Sequence, residues 1–201
     1  MTVATIDIRD ESESRAKRLK ASTQDAHDRL DKRIMAGDPF ADRARYARFL
    51  RVQYLFHREI DALYANDALK TWLPGLPERR RLPPIVQDLI DLREAVPETF
   101  EPPLFVDGDV DLPAALGWLY VAEGSNLGAA FLFKAAAGLG LDASFGARHL
   151  AGHPDGRAQH WRAFIGALDA LNLSASDETR MLAGAKAAFA NVHARVEAHL
   201  G

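Results

Sequence analysis

Tyr120-Val121-Ala122-Glu123-Gly124-Ser125-Asn126-Leu127-Gly128 lies within a stretch that is apolar nearly all round, as expected of a helix covered on every side. In a helix interior each glycine costs about 1 kcal/mol relative to alanine, and Ser125 and Asn126 are weak helix formers too. Gly124 and Gly128 are four residues apart, so they share one helix face. That cost in a central helix predicts a break at 124–128 beside a bound ligand, because glycine lets backbone approach a flat molecule and Gly/Ser pairs kink helices. Close packing of a second helix over small residues is the other reading of the same spacing.

Working outward, Asp111-Leu112-Pro113 supplies a cap and a first-turn proline for this helix, and Gly138-Leu139-Gly140 supplies its stop. Two helices follow, about 155–171 and 176–200, the second with Leu182, Ala185, Phe189, Val192, Val196 and Leu200 on one face. Upstream, a helix opens at Pro83-Pro84 and another spans about 42–65. The first starts near Ser12 or Ser14 with a stripe of Ala16, Leu19, Thr23, Ala26, Leu30 and Ile34. No stretch alternates with period two, so the fold class is all-α, a single-domain helical bundle over 14–201 behind a flexible tail at 1–13.

The 201 residues, 48% of them hydrophobic, suffice for one sizeable core. With 25 basic and 28 acidic residues spread along the chain, no tract points to nucleic acid or an anionic membrane, so the expected partner is a small molecule. The absence of cysteine removes disulfides, thiolate metal sites and cysteine nucleophiles, which leaves His or carboxylate to hold any metal. Neither a secretory signal nor an apolar run of membrane-spanning length is legible, and a cytoplasmic location is expected.

His27 lies at the edge of the first helix's apolar stripe, and Asp31 stands one turn later, placed to engage one ring nitrogen. A lone histidine in such a position is a structural residue more often than a ligand. Taken together, however, Thr23-Gln24-Asp25-Ala26-His27-Asp28-Arg29-Leu30-Asp31 and the glycine stretch some ninety residues on resemble the proximal and distal helix signatures of bacterial haem oxygenases. The similarity extends from about Leu19 to Leu200 in the order and spacing of helices.

The resemblance implies that haem, both substrate and cofactor, is sandwiched between the first helix and a kinked central helix. His27 would be the axial iron ligand, and Gly124, Ser125, Asn126 and Gly128 would lie over the opposite face. It also implies O2 and electrons from a ferredoxin- or flavodoxin-type reductase, attack on a haem meso carbon, and release of biliverdin, CO and ferrous iron. Ordered water would supply protons, since Glu123 is expected to point elsewhere. Lys20, two turns before His27, is the first candidate for a haem propionate, with Tyr120 and Lys134 as second and third. Lys20 together with Met35, eight residues after His27, favours the alpha isomer. Trp161 and Phe189 resemble aromatic pocket residues of the family, and the remaining histidines are expected to be structural or on the surface.

The product could serve iron acquisition or supply a bilin acceptor such as a bacteriophytochrome. The runs Glu78-Arg79-Arg80-Arg81 and Arg157 to Arg162 are candidate docking residues for the electron donor. Two rival readings are a haem carrier or sensor using the same pocket without turnover, and a helical relative such as a thiamin-degrading enzyme, which the lack of cysteine disfavours.

Overall fold

A computed structural model describes residues 14–106, 108 and 110–200. The tail expected at 1–13 lies outside the described residues. Among those described, the chain forms α1 (Arg15–Ala36), α2 (Arg43–Ile60), α3 (Asp67–Trp72), α4 (Leu82–Asp91), α5 (Leu112–Ala137), α6 (Arg157–Ala170) and α7 (Ala175–Leu200), with short 3-10 turns at Asp61–Ala65, Pro77–Arg79 and Arg148–Leu150. No β-strand is present among them, only isolated bridges around Asp142.

Local chemistry sets the helix ends. Asp42 accepts from the Arg45 amide at 2.8 Å to start α2, and Asp111 accepts from the Ala114 amide at 3.4 Å to start α5, with Pro113 in its first turn. The helix expected over 42–65 loses its last turn to the 3-10 segment Asp61–Ala65. Ser14 precedes α1 but does not cap it; its hydroxyl donates to Asp169 at 2.8 Å. The predicted stripe of α1 is buried at Ala16, Leu19, Thr23 and Leu30.

The most extensive packing is between α5 and α7, and α7 also lies against α1 and α2 while α6 leans on α5. Glycines make the α5–α7 contact possible. A Cβ added at Gly117 would overlap the Met181 carbonyl oxygen and lie 2.5 Å from the Ala185 amide nitrogen, and one at Gly184 would overlap the Ala114 carbonyl. Both obstacles are backbone atoms of a packed helix, so neither can rotate away.

The break expected in the central helix is absent: α5 is continuous from Leu112 to Ala137. Propensity is a weak prior, and the buried flanks of α5, among them Leu116, Trp118, Leu119, Ala122 and Ala129, hold it helical through the glycines.

His57 on α2 is wholly buried beside Arg81 and His149, and desolvation followed by the repulsion of those neighbours pushes its pKa down to about 3. Below the ordinary value of 6.5 the unfolded chain therefore binds a proton that the folded one refuses. Stability is expected to rise with pH between about 3 and 6.5 and to be lost on acidification through that window. Urea titrations of wild-type and His57→Leu protein from pH 4 to 7 check this. The variant should show a shallower slope, and equal slopes would assign the acid sensitivity to other groups.

Candidate functional site

His27 projects from the second half of α1, half-exposed, with its Nδ1 3.5 Å from Asp31 Oδ2 and 3.6 Å from Asp28 Oδ1. No hydrogen bond or ion pair of the described residues uses Nε2. Its ring meets Phe189 of α7 edge-on, centroids 6.1 Å apart. Carboxylates thus stand near one ring nitrogen without a hydrogen bond to it, on the side where a second group could orient the ring for metal ligation through the other nitrogen.

The glycine segment of α5 forms the second part. Beyond Gly128 no described residue lies within 4 Å of an added Cβ, and at Gly124 such an atom would meet, among the described residues, the Trp161 ring edge at 3.6 Å. Close helix packing, the alternative explanation of these glycines, is therefore excluded; Gly117 and Gly184 carry it instead. Leu127 and Phe131, large and exposed, continue the same stretch of α5. A flat apolar molecule fits such a bare surface, because the backbone can come within contact distance of it.

Trp161 lies half-buried against Gly124, 5.6 Å from the Tyr120 ring and stacked on Phe164 at 5.7 Å. Tyr120 is a weaker candidate for an anionic ligand than the sequence suggested. Its hydroxyl is buried, donates to the Ala16 carbonyl at 3.4 Å and has its pKa pushed up to about 12 by burial, so it ties α5 to α1. Lys20 and Lys134 are both exposed. Ser125 donates to its own helix at the Ala122 carbonyl, 2.7 Å away, and Asn126 is buried, with its main-chain carbonyl accepting from Arg157 Nη1 at 3.0 Å. The structure thus gathers His27, Asp31 and Phe189 in one group and Tyr120, Gly124 and Trp161 in another.

Sequence reasoning missed what stands beneath the glycines. Glu123 is buried, accepting from Tyr64 Oη at 3.2 Å and from Arg79 Nη1 at 3.0 Å. Burial raises its pKa, opposed chiefly by the Arg79 charge. Arg79 also donates to the His160 carbonyl at 3.0 Å. Burial, then the Arg79 charge, lowers the His160 pKa to about 4, and its ring stacks on His153 at 4.3 Å. The signal was an acidic residue in the most apolar helix, which requires a buried partner. Its partner comes from the arginine run taken as a docking surface, and that expectation fails for two of its members: Arg79 is buried on Glu123 and Arg81 donates to the His149 carbonyl, whereas Arg80, paired with Asp61 at 2.6 Å, remains exposed.

The chain matches the family model described as heme oxygenase over residues 13–97 and 105–198. It is 46% identical over 175 residues, 87% of each chain, to heme oxygenase PigA of Pseudomonas aeruginosa. It superposes on the NO- and CO-bound heme oxygenase of Neisseria meningitidis with a TM-score of 0.87 and 43% identity, covering 94% of this chain and 93% of that one. Its fold is also that of heme oxygenase from Leptospira interrogans, at a TM-score of 0.72 and 20% identity over 92% of this chain and 99% of that one. With a histidine whose open ring nitrogen suits iron and a glycine-bared helix that suits a flat macrocycle, the chain belongs to the heme oxygenase family.

Proposed function

We propose that His27 ligates haem iron through Nε2, with Asp31 orienting the ring through Nδ1, and that the Gly124–Gly128 face of α5 covers the opposite side of the macrocycle. The observation carrying this reading is the His27 ring itself, carboxylates at 3.5 and 3.6 Å from one nitrogen and, among the described residues, no hydrogen-bond or ion-pair partner on the other. Bound haem supplies the iron at which O2 is reduced and the meso carbon that is oxidised. His27 would hold the iron as an imidazole ligand, which lacks the electron push that a thiolate would supply. The protein also supplies a distal face without side chains at Gly124 and Gly128, with Ser125 and Asn126 as the polar residues between them.

Trp161 and Phe189 bound the haem as apolar walls, and Lys20 meets a propionate as a flexible, solvent-facing cation. Lys134 is a weaker candidate for the second propionate. Electrons come from a separate ferredoxin- or flavodoxin-type reductase, and the products are biliverdin, CO and ferrous iron. Lys20 and Met35 favour opening at the alpha meso carbon. The output serves iron acquisition or bilin supply to an acceptor such as a bacteriophytochrome. No helix of the described residues is long and apolar enough to cross a membrane.

Hemin-loaded protein given ascorbate in air is expected to lose its Soret band and release biliverdin, with chromatography showing the alpha isomer. A stable Soret band under continued reduction would make the protein a haem carrier. A different isomer would show that Lys20 does not fix the macrocycle's rotation.

A further inference from the structure

Arg157 is placed against ordinary helix preferences. It is the first residue of α6, where the helix dipole disfavours a cation, and α6 has no acidic residue in its first turn. Burial lowers its pKa, so it is also partly stripped of water. Its guanidinium donates from Nη1 to the Asn126 carbonyl at 3.0 Å and from Nη2 to the Leu150 carbonyl, lying against Gly152, where an added Cβ would come 3.4 Å from Nε. Asn126 sits midway between Gly124 and Gly128.

A mid-helix carbonyl already has an amide donor four residues on, so the guanidinium is a second donor on its other lone pair. The Ala122 carbonyl, one turn earlier on the same side of α5, likewise takes a second donor, the Ser125 hydroxyl at 2.7 Å. Extra donors draw such carbonyls off the helix axis and bend a helix without ending it. One turn along α6 from Arg157, Trp161 rests on Gly124. The opening turns of α6 thus hold the glycine segment at two points, by a hydrogen bond at Asn126 and by a ring at Gly124.

Resting on the haem reading above, we infer that Arg157 is a positioning residue of the reaction, setting through the Asn126 carbonyl how close the glycine segment of α5 stands to the reacting face and so which meso carbon is opened. Arg157→Gln removes the charge and the two-carbonyl bridge. Arg157→Lys keeps the charge but gathers its donors on one nitrogen, without the guanidinium's fork that reaches both carbonyls.

The test uses full-length protein loaded with hemin. The readouts are the bilin isomer ratio after one turnover and the pH midpoint of the ferric acid–alkaline spectral transition, neither of which follows global stability. The Gln variant is expected to bind hemin as wild type does, lose roughly tenfold in turnover as misplacement by a fraction of an ångström would cause, yield mixed isomers and shift the midpoint. The Lys variant should move the same way by less, and it carries the test if the Gln variant does not fold. Wild-type isomer ratio and midpoint in the variants would overturn the inference, as would a Lys variant no nearer wild type than Gln. Wild-type protein that fails to bind hemin would remove the haem reading itself, a result the same titration separates from unmoved variants.

Discussion

Gly184→Ala is expected to lower the melting temperature by roughly 10–15 °C, an effect of about 3–5 kcal/mol in a domain of this size. The added methyl would sit inside the Ala114 carbonyl group, in the densest helix contact of the fold. Alanine is a better helix former than glycine by about 1 kcal/mol, which opposes the loss. The steric term wins because the obstacle is main chain: α5 and α7 must separate along their contact, and the buried side chains around it lose their fit. Gly117→Ala should behave alike, since its Cβ would overlap the Met181 carbonyl. Thermal melts followed by circular dichroism check both, and melting within a degree or two of wild type would show that the helices are not so closely engaged.

The same substitution class has the opposite sign about three turns further along α5. Gly128→Leu places a good helix former where nothing lies within 4 Å, so the ligand-free protein should gain about 0.5–1 kcal/mol and melt a few degrees higher. If the proposed haem arrangement holds, turnover should nevertheless fall by tenfold or more, because the side chain would intrude on the bound macrocycle's face, while the His27-linked ferric spectrum stays. A gain in stability coupled to a loss of function is expected where a residue is kept for its site and not for its fold. Full activity in both Gly128→Leu and Gly124→Leu would mean that this face does not cover the haem.

These two glycine pairs also show what a single sequence can and cannot tell. Gly124 and Gly128 stand out because their cost falls in an apolar helix with no turn nearby. Gly117 lies in the same apolar helix, but its place there does not name what it meets: the atoms that require Gly117 and Gly184 belong in each case to a helix some seventy residues away, and only the fold brings these together. Asp42 and Asp111 were readable as caps because capping is local. The Glu123–Arg79 pair was not, for the opposite reason. A buried carboxylate announces that it needs a partner, but not which of the arginines at 79, 80 and 81 turns inward. The expected break in α5 failed because burial along the helix outweighs the propensity cost of its glycines. Tyr120 was read as a ligand donor from its position one turn before the glycines, whereas its hydroxyl secures α1.

The central claim is that His27 holds the iron, and the ferric spectrum of hemin-loaded His27→Ala protein tests it most directly, recorded beside wild type with and without added imidazole. The variant is expected to lose the imidazole-ligated spectrum and bilin formation while remaining folded, because the side chain is half-exposed and meets Phe189 edge-on. Added imidazole should restore the spectrum. A variant whose ferric spectrum matches wild type without imidazole would contradict the account and move the axial ligand elsewhere in the chain.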